Sequence, residues 1–160
     1  MNGHSEDIYL TVQKIIDRKL KVTAMESVTG GMIASLFTDR EGVSAVFRGS
    51  FVTYSNEAKI VAGVDPVIIE RYGVYSEECA VAMALAAQKA FEADIAIGVT
   101  GVLANIDPEN SQGTPGTVYF AIAIGDKVHP GKITDIPVTN RHDSKLYVCS
   151  EIFGRLNDLL

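Results

Sequence analysis

A chain of 160 residues buries about 70% of the surface its unfolded form exposes, so one hydrophobic core is attainable without disulfide or metal staples. Apolar residues make up 47% and charged residues 21%, which excludes the low-hydrophobicity, high-charge regime of disordered chains. The formal charge of −6 repels phosphate backbones and anionic lipid surfaces at long range, which argues against nucleic-acid and membrane partners but permits a local basic pocket.

The segment from Met1 to Leu10 carries Glu6 and Asp7 where a signal peptide needs positive charge and then an apolar stretch, so no targeting segment is expected there. No run of about 18 apolar residues occurs, because Gln88 and Lys89 interrupt even the Ala-rich stretch that starts at Cys79. A cytoplasmic location follows as the default. Cys79 and Cys149 have no CxxC-type partner spacing and read as reduced, buried thiols.

In chain order, Ile8, Val12, Ile15, Ile16 and Leu20 recur at helical spacing, with Ser5 as the expected N-cap. Lys21 to Met25 reads as a short strand, Glu26 to Gly31 as a tight glycine-containing turn, and Met32, Ile33, Leu36 and Phe37 as the next helix. Val46 to Tyr54 has strand composition, with Gly49 marking a bulge or a close backbone approach. Ser55 caps a short helix carrying Lys59, Asp65-Pro66 starts another that Gly73 closes, and Ser76-Glu77-Glu78 opens a longer one to about Ala93. Ile95 to Thr100 reads as a central strand and Gly101 to Gly116 as a long functional loop. Thr117 to Ile124 and Lys132 to Thr139 are expected to pair antiparallel through a turn opening at Gly125-Asp126. A last helix should begin near Asp143 and bury Leu146, Cys149, Ile152, Phe153 and Leu156. This order predicts one α/β domain over residues 1–160, a three-layer α/β/α sandwich with a mixed, mostly parallel sheet.

Two segments can carry chemistry. The turn from Glu26 to Gly31 offers backbone N–H groups to an anion or a polarised oxygen, although such turns also join strand to helix for structural reasons alone. Ser44, Tyr54 and Lys59 offer a hydroxyl, a proton relay and an amine that becomes a base when desolvated, although each also fits an ordinary surface role. His4, His129 and His142 have no ligand-like spacing with one another or with cysteine, so no metal site is expected. The G-x-S-x-G elbow is absent. Arg141, placed before the last predicted helix, suits a phosphate or carboxylate.

These segments together resemble one family. Glu26-Ser27-Val28-Thr29-Gly30-Gly31 resembles the E-S-C-T-G-G signature of CinA C-terminal domains, and Gly49 to Lys59 is similar to their G-x-x-x-x-Y-S-N-E-A-K segment. Gly42 to Phe47, Gly73 to Glu78, Val99-Thr100-Gly101 and Pro115 to Tyr119 resemble further family segments, and the similarity runs from about residue 5 to the end. The resemblance implies a stand-alone amidohydrolase domain that deamidates nicotinamide mononucleotide to nicotinic acid mononucleotide and ammonia, with no cofactor and no metal. A homo-oligomer, with a dimer favoured, is also implied. Carried over by position, it makes Ser44 the nucleophile, Lys59 its base and Tyr54 a relay, with Ser27, Thr29, Gly30, Gly31, Thr100, Gly101 and Arg141 lining the nucleotide pocket. Spacing does not decide between Ser27 and Ser44; Ser44 ranks first because Lys59 lies nearer to it in the chain and the family points there. The chain departs from the family at Val28, where the family has Cys, and over residues 102–109, where it has a glycine-rich loop. Asp107 and Glu109 there oppose a nearby phosphate, which keeps open an amidase of shifted substrate or an inactive nucleotide-binding module.

Overall fold

The computed structural model describes residues 3–104, 107–137 and 140–160. Six helices and five strands follow in the order α1 (Gly3–Asp17), β1 (Val22–Glu26), α2 (Met32–Thr38), β2 (Phe51–Val52), α3 (Asn56–Val61), α4 (Pro66–Tyr72), α5 (Glu77–Phe91), β3 (Ile95–Val102), β4 (Thr117–Ile124), β5 (Lys127–Ile133) and α6 (Arg141–Leu159). The helix starts obey capping rules. Ser55, Asp65 and Ser76 each accept a backbone N–H of the first turn with the side chain, and Pro66 occupies a first-turn position where its missing N–H costs nothing.

The sheet has the order β2-β1-β3-β4-β5. β1 pairs parallel with β2 and β3, and the β3–β4 and β4–β5 pairs are antiparallel, so four strands run one way and β4 runs against them. The α/β class and the mixed sheet are as the sequence implies.

Strand alternation sorts the core into two unlike faces. Ile95, Ile97, Val99, Phe120 and Ile122 present bulk to one side, where Ile8, Val12 and Ile15 of α1, Ile33 and Phe37 of α2 and Ile152 and Phe153 of α6 cover them. Ala96, Ala121 and Ala123 point to the other side, against Cys79, Ala80, Met83, Ala84 and Ala87 of α5. Small side chains on both partners let α5 lie close across β1, β3 and β4. Contact is closest at Gly98, where an added Cβ would fall 2.2 Å from the Ala80 carbonyl oxygen and 2.6 Å from the Ala84 nitrogen. Both thiols are free and buried.

Several boundaries differ from expectation. α1 starts at Gly3, so Ser5 lies inside its first turn and is not its cap. The strand expected over Val46 to Tyr54 shrinks to Phe51–Val52 plus an isolated bridge from Phe47 to Val22, with Gly49 between them packed against the Phe91 ring. β3 runs on to Val102, which shortens the loop before β4. The last strand is Lys127–Ile133 and not Lys132 to Thr139: Gly125-Asp126 alone form the turn, and Ile124 already pairs with Lys127. Pro130 is tolerated there because β5 is an edge strand whose outer side needs no donor. Val138 and Thr139 lie outside the described residues. α6 begins at Arg141, two residues early, because Asn140 caps it through the Asp143 amide.

Gly98→Ala should lower stability by at least about 2 kcal/mol, since the methyl group meets helix backbone and not a movable side chain. Urea unfolding of the two proteins checks this, and an unchanged midpoint would refute the close-packing account.

Candidate functional site

Parallel pairing places the carboxyl ends of β1, β2 and β3 along one edge of the sheet, with Glu26 opposite both Val52 and Val99. The chain leaves β1 for β2 by way of α2, on the bulky face, and reaches β3 on the far side of β1 by way of α5, on the small-residue face. Strand order therefore reverses at β1, and a crevice beyond the strand ends at such a reversal is the usual ligand site of open α/β sheets. Ser27, the first residue past β1, sits there.

Register does the positioning. The Ser27 amide donates to the Val99 carbonyl at 3.1 Å and the Thr53 amide to the Glu26 carbonyl at 2.7 Å, which sets residues 27 and 53 side by side. The Ser55 cap starts α3 two residues later, and Lys59 on that helix reaches back to the strand ends. Its Nζ donates to the Thr53 carbonyl at 2.9 Å and lies 3.3 Å from the Ser27 Oγ. Lys59 is 2% exposed and Ser27 7%.

A second buried polar group shapes the turn after β1. The Glu26 carboxylate, fully enclosed, accepts the Thr29 hydroxyl at 2.6 Å, the Ile33 amide at 2.8 Å and the Ala34 amide at 3.0 Å. It binds the end of β1 to the first turn of α2, and the turn between them needs the positive φ of Gly30 (60°) and Gly31 (101°). Among the described residues, the amides of Val28, Thr29 and Gly31 meet no acceptor within the protein. Sequence reading missed Glu26 as a structural acid; the signal was a carboxylate at the last position of an otherwise apolar strand.

Burial pushes the Lys59 amine below its ordinary value of 10.5, opposed by the charges of Cys79 and Asp107. The Cys79 thiol is itself raised to about 11 by burial. It is protonated at neutral pH, which leaves Asp107 as the charged counterweight and makes Cys79 a poor nucleophile.

A cavity of about 270 Å³ opens beside this pair, lined by Ser27, Val28, Tyr54, Tyr75, Asp107 and Arg141, with Gly101 and Val102 at the end of β3. Tyr54, 64% exposed, accepts a hydrogen bond from the Arg141 guanidinium at 3.1 Å and belongs to the rim. Burial and the neighbouring Asp107 carboxylate raise the Tyr75 hydroxyl above its ordinary 10.0. A larger cavity of about 580 Å³ lies between α1, α2 and α6, bordered by residues such as Tyr9, Leu36 and Tyr147; it holds none of the expected site residues.

The structure thus joins Ser27, Lys59, Tyr54, Gly101 and Arg141 and separates the rest. Ser44, expected beside Lys59, stands exposed on a 3₁₀ turn over Val43–Ala45, and both contacts of the Lys59 amine go elsewhere. Tyr54 makes no hydrogen bond to Ser27 or Lys59, so the expected relay is not formed; its hydroxyl faces Arg141. Thr29 turns inward to Glu26, and Thr100, fully buried, donates to the Val74 carbonyl at 2.7 Å, so neither hydroxyl faces the cavity. Gly30 and Gly31 shape the turn without lining the cavity. Tyr75 and Asp107 line the cavity without a signal in the sequence beyond the acidity of Asp107. Among the described residues no group of three or more His, Cys, Asp or Glu converges on a point, and no helix is long and apolar enough to cross a membrane.

Comparison with known proteins agrees with this architecture. The family model described as the CinA C-terminal domain matches residues 6–158. A CinA-like protein of Fervidobacterium nodosum is 42% identical over 109 residues, 68% of this chain and 26% of that protein. A CinA-like protein of Mycobacterium marinum is 37% identical over 150 residues, 88% of this chain and 34% of that protein. The chain therefore spans about a third or less of the length of these curated relatives. Among solved structures, a competence-damaged protein (CinA) superfamily protein from Escherichia coli superposes with a TM-score of 0.86 at 27% identity, covering 98% of this chain and 90% of that one. A competence/damage inducible protein from Agrobacterium tumefaciens gives 0.86 at 27% identity, with 99% and 96% covered.

Two stability measurements test the buried polar groups. Glu26→Ala should cost about 3 kcal/mol or more, because it strands two helix amides and a hydroxyl away from water; a loss below about 1 kcal/mol in urea unfolding would show that the carboxylate is dispensable. Lys59 acts in the opposite sense. Its folded-state ionisation lies below 10.5, so the unfolded chain binds more protons between the two values and stability rises with pH there. The cost of burying the amine is complete at pH values below the folded-state ionisation and vanishes above the unfolded one. Lys59→Met should accordingly be at least as stable as the parent at pH 7 by the same unfolding measurement, and a marked loss would contradict the desolvation account.

Proposed function

The chain belongs to the CinA C-terminal domain family, and on that premise we propose that it is an amidohydrolase that deamidates nicotinamide mononucleotide by a Ser27/Lys59 mechanism. The observation that carries this reading is the 3.3 Å approach of a buried lysine amine to a serine hydroxyl at the wall of a cavity.

Each step uses a group already placed. In its neutral form Lys59 takes the proton of Ser27 as the oxygen attacks the carboxamide carbon. The oxyanion that develops is met by the Val28 amide, next in chain to the nucleophile, at the cavity wall and without an acceptor among the described residues. Collapse of the tetrahedral adduct breaks the C–N bond; Lys59 returns its proton to the departing nitrogen, and ammonia leaves an acyl ester on Ser27. Water, deprotonated by Lys59, then releases the carboxylate product and restores the hydroxyl. The Thr53 carbonyl orients the amine throughout. Arg141 at the rim supplies a cation for the phosphate, and Tyr54 and Tyr75 offer apolar ring faces beside a planar heterocycle.

Ammonia release from nicotinamide mononucleotide tests the proposal. Ser27→Ala and Lys59→Met should each lower kcat by at least about 10³-fold, the scale of losing a nucleophile or its base, while Ser44→Ala stays within about twofold of the parent. A loss in Ser44→Ala with Ser27→Ala unaffected would overturn the assignment. Because the working base is the unprotonated amine, kcat/KM should rise with pH through an ionisation below 10.5, and a flat profile across that range would remove Lys59 as base.

A further inference from the structure

Asp107 stands at the wall of the same cavity as Arg141, yet among the described residues the two opposite charges make no ion pair with each other. Each is held by other groups. One Asp107 oxygen accepts the Glu109 amide at 3.0 Å and the other the Asn110 side-chain amide at 3.0 Å. Asn110 in turn exchanges two amide hydrogen bonds with Asn56, at 3.1 and 3.0 Å, on the first residue of α3. The carboxylate is thereby tied to the helix that carries Lys59. Arg141, for its part, is held by the Tyr54 hydroxyl across the rim.

Holding a carboxylate and a guanidinium without a mutual ion pair in a cavity of about 270 Å³ leaves neither charge neutralised by the other, and the ligand that complements both carries charge of each sign. We propose that Asp107 is a specificity-determining residue that selects substrates whose amide-bearing ring is a cation. This rests on the deamidase reading and deepens it. The oxidised nicotinamide ring carries a positive charge at the glycosylated nitrogen, a few ångströms from its carboxamide, so an amide carbon at Ser27 and a phosphate toward Arg141 leave the cationic ring between them, inside the cavity that Asp107 also lines. The same charge acts on Lys59, which it holds in the protonated form more than burial alone would; a cationic ring arriving beside Asp107 offsets that influence and favours the neutral amine that attack requires.

Binding without turnover separates this from catalysis. Ser27→Ala protein is titrated calorimetrically with nicotinamide mononucleotide and with its reduced, dihydropyridine form, which has the same carboxamide, ribose and phosphate but an uncharged ring. The oxidised form should bind about tenfold more tightly, as expected of one partly hydrated charge pair, and Asp107→Asn in the Ser27→Ala background should erase the difference by weakening the oxidised form alone. Asn110→Ser, which loosens the loop and keeps the carboxylate, should weaken both forms alike. Equal binding of the two forms with Asp107 present, or equal weakening of both by Asp107→Asn, overturns the proposal. Ammonia release by the parent protein beside equal binding would leave the deamidase reading standing and remove only the role of Asp107, whereas binding of neither form removes both.

Discussion

An ammonium group taken out of water loses hydration worth several kcal/mol, and a fold keeps it only where other interactions hold it in place. Lys59 is such a group: nearly inaccessible, anchored to the Thr53 carbonyl and set against the Ser27 hydroxyl. The arrangement fixes much of what surrounds it. α3 must begin directly after β2 for its side chain to reach the strand ends, and β2 must pair in register with β1 for residues 27 and 53 to be neighbours. The fold therefore sacrifices stability at one point to hold an amine whose proton is easily given up.

The rest of the molecule supplies the rigidity that this demands. One sheet face carries large aliphatic and aromatic side chains under three helices, and the other, along β3 and β4, carries alanine and glycine under the close-lying α5. The asymmetry puts α5 near enough to the sheet for Cys79, on its first turn, to lie within electrostatic reach of the Lys59 amine. On the opposite face, the enclosed Glu26 carboxylate satisfies α2 amides and holds the turn that contains Ser27. Two buried ionisable side chains thus act in complementary ways, Glu26 fixing the turn that carries Ser27 and Lys59 facing the Ser27 hydroxyl.

Two described residues of the segment that departs most from the family's glycine-rich pattern, Val102 and Asp107, contribute to the cavity wall. Val102 extends β3 and lines the cavity, and Asp107 is braced by two hydrogen bonds and linked through Asn110 to α3. An acid that from sequence reads as hostile to phosphate occupies a different part of the wall from Arg141 and makes no ion pair with it among the described residues. Opposition to phosphate and a share in the same cavity are compatible once the charges are placed in space.

Local chemistry made much of this chain legible without coordinates. Ser55, Asp65-Pro66 and Ser76 announce helix starts because a cap bonds amides two or three residues away, and the short apolar run from Ile95 has the composition of a central strand. The motif segments identified the family, and with it Lys59, Tyr54 and Arg141 as residues near a site. Long-range pairing decided the remainder. Ser44 precedes Lys59 by 15 positions and Ser27 by 32, yet the parallel register of β1 and β2 brings the farther serine to the amine, and chain separation carries no information about which strand ends adjoin. The inward turn of Thr29 and Thr100, the enclosure of Glu26 and the length of β5 past Pro130 were likewise set by neighbours distant in sequence. A hydrogen-bond partner across a sheet, or the edge position that excuses a proline, exists only once the strands have found one another.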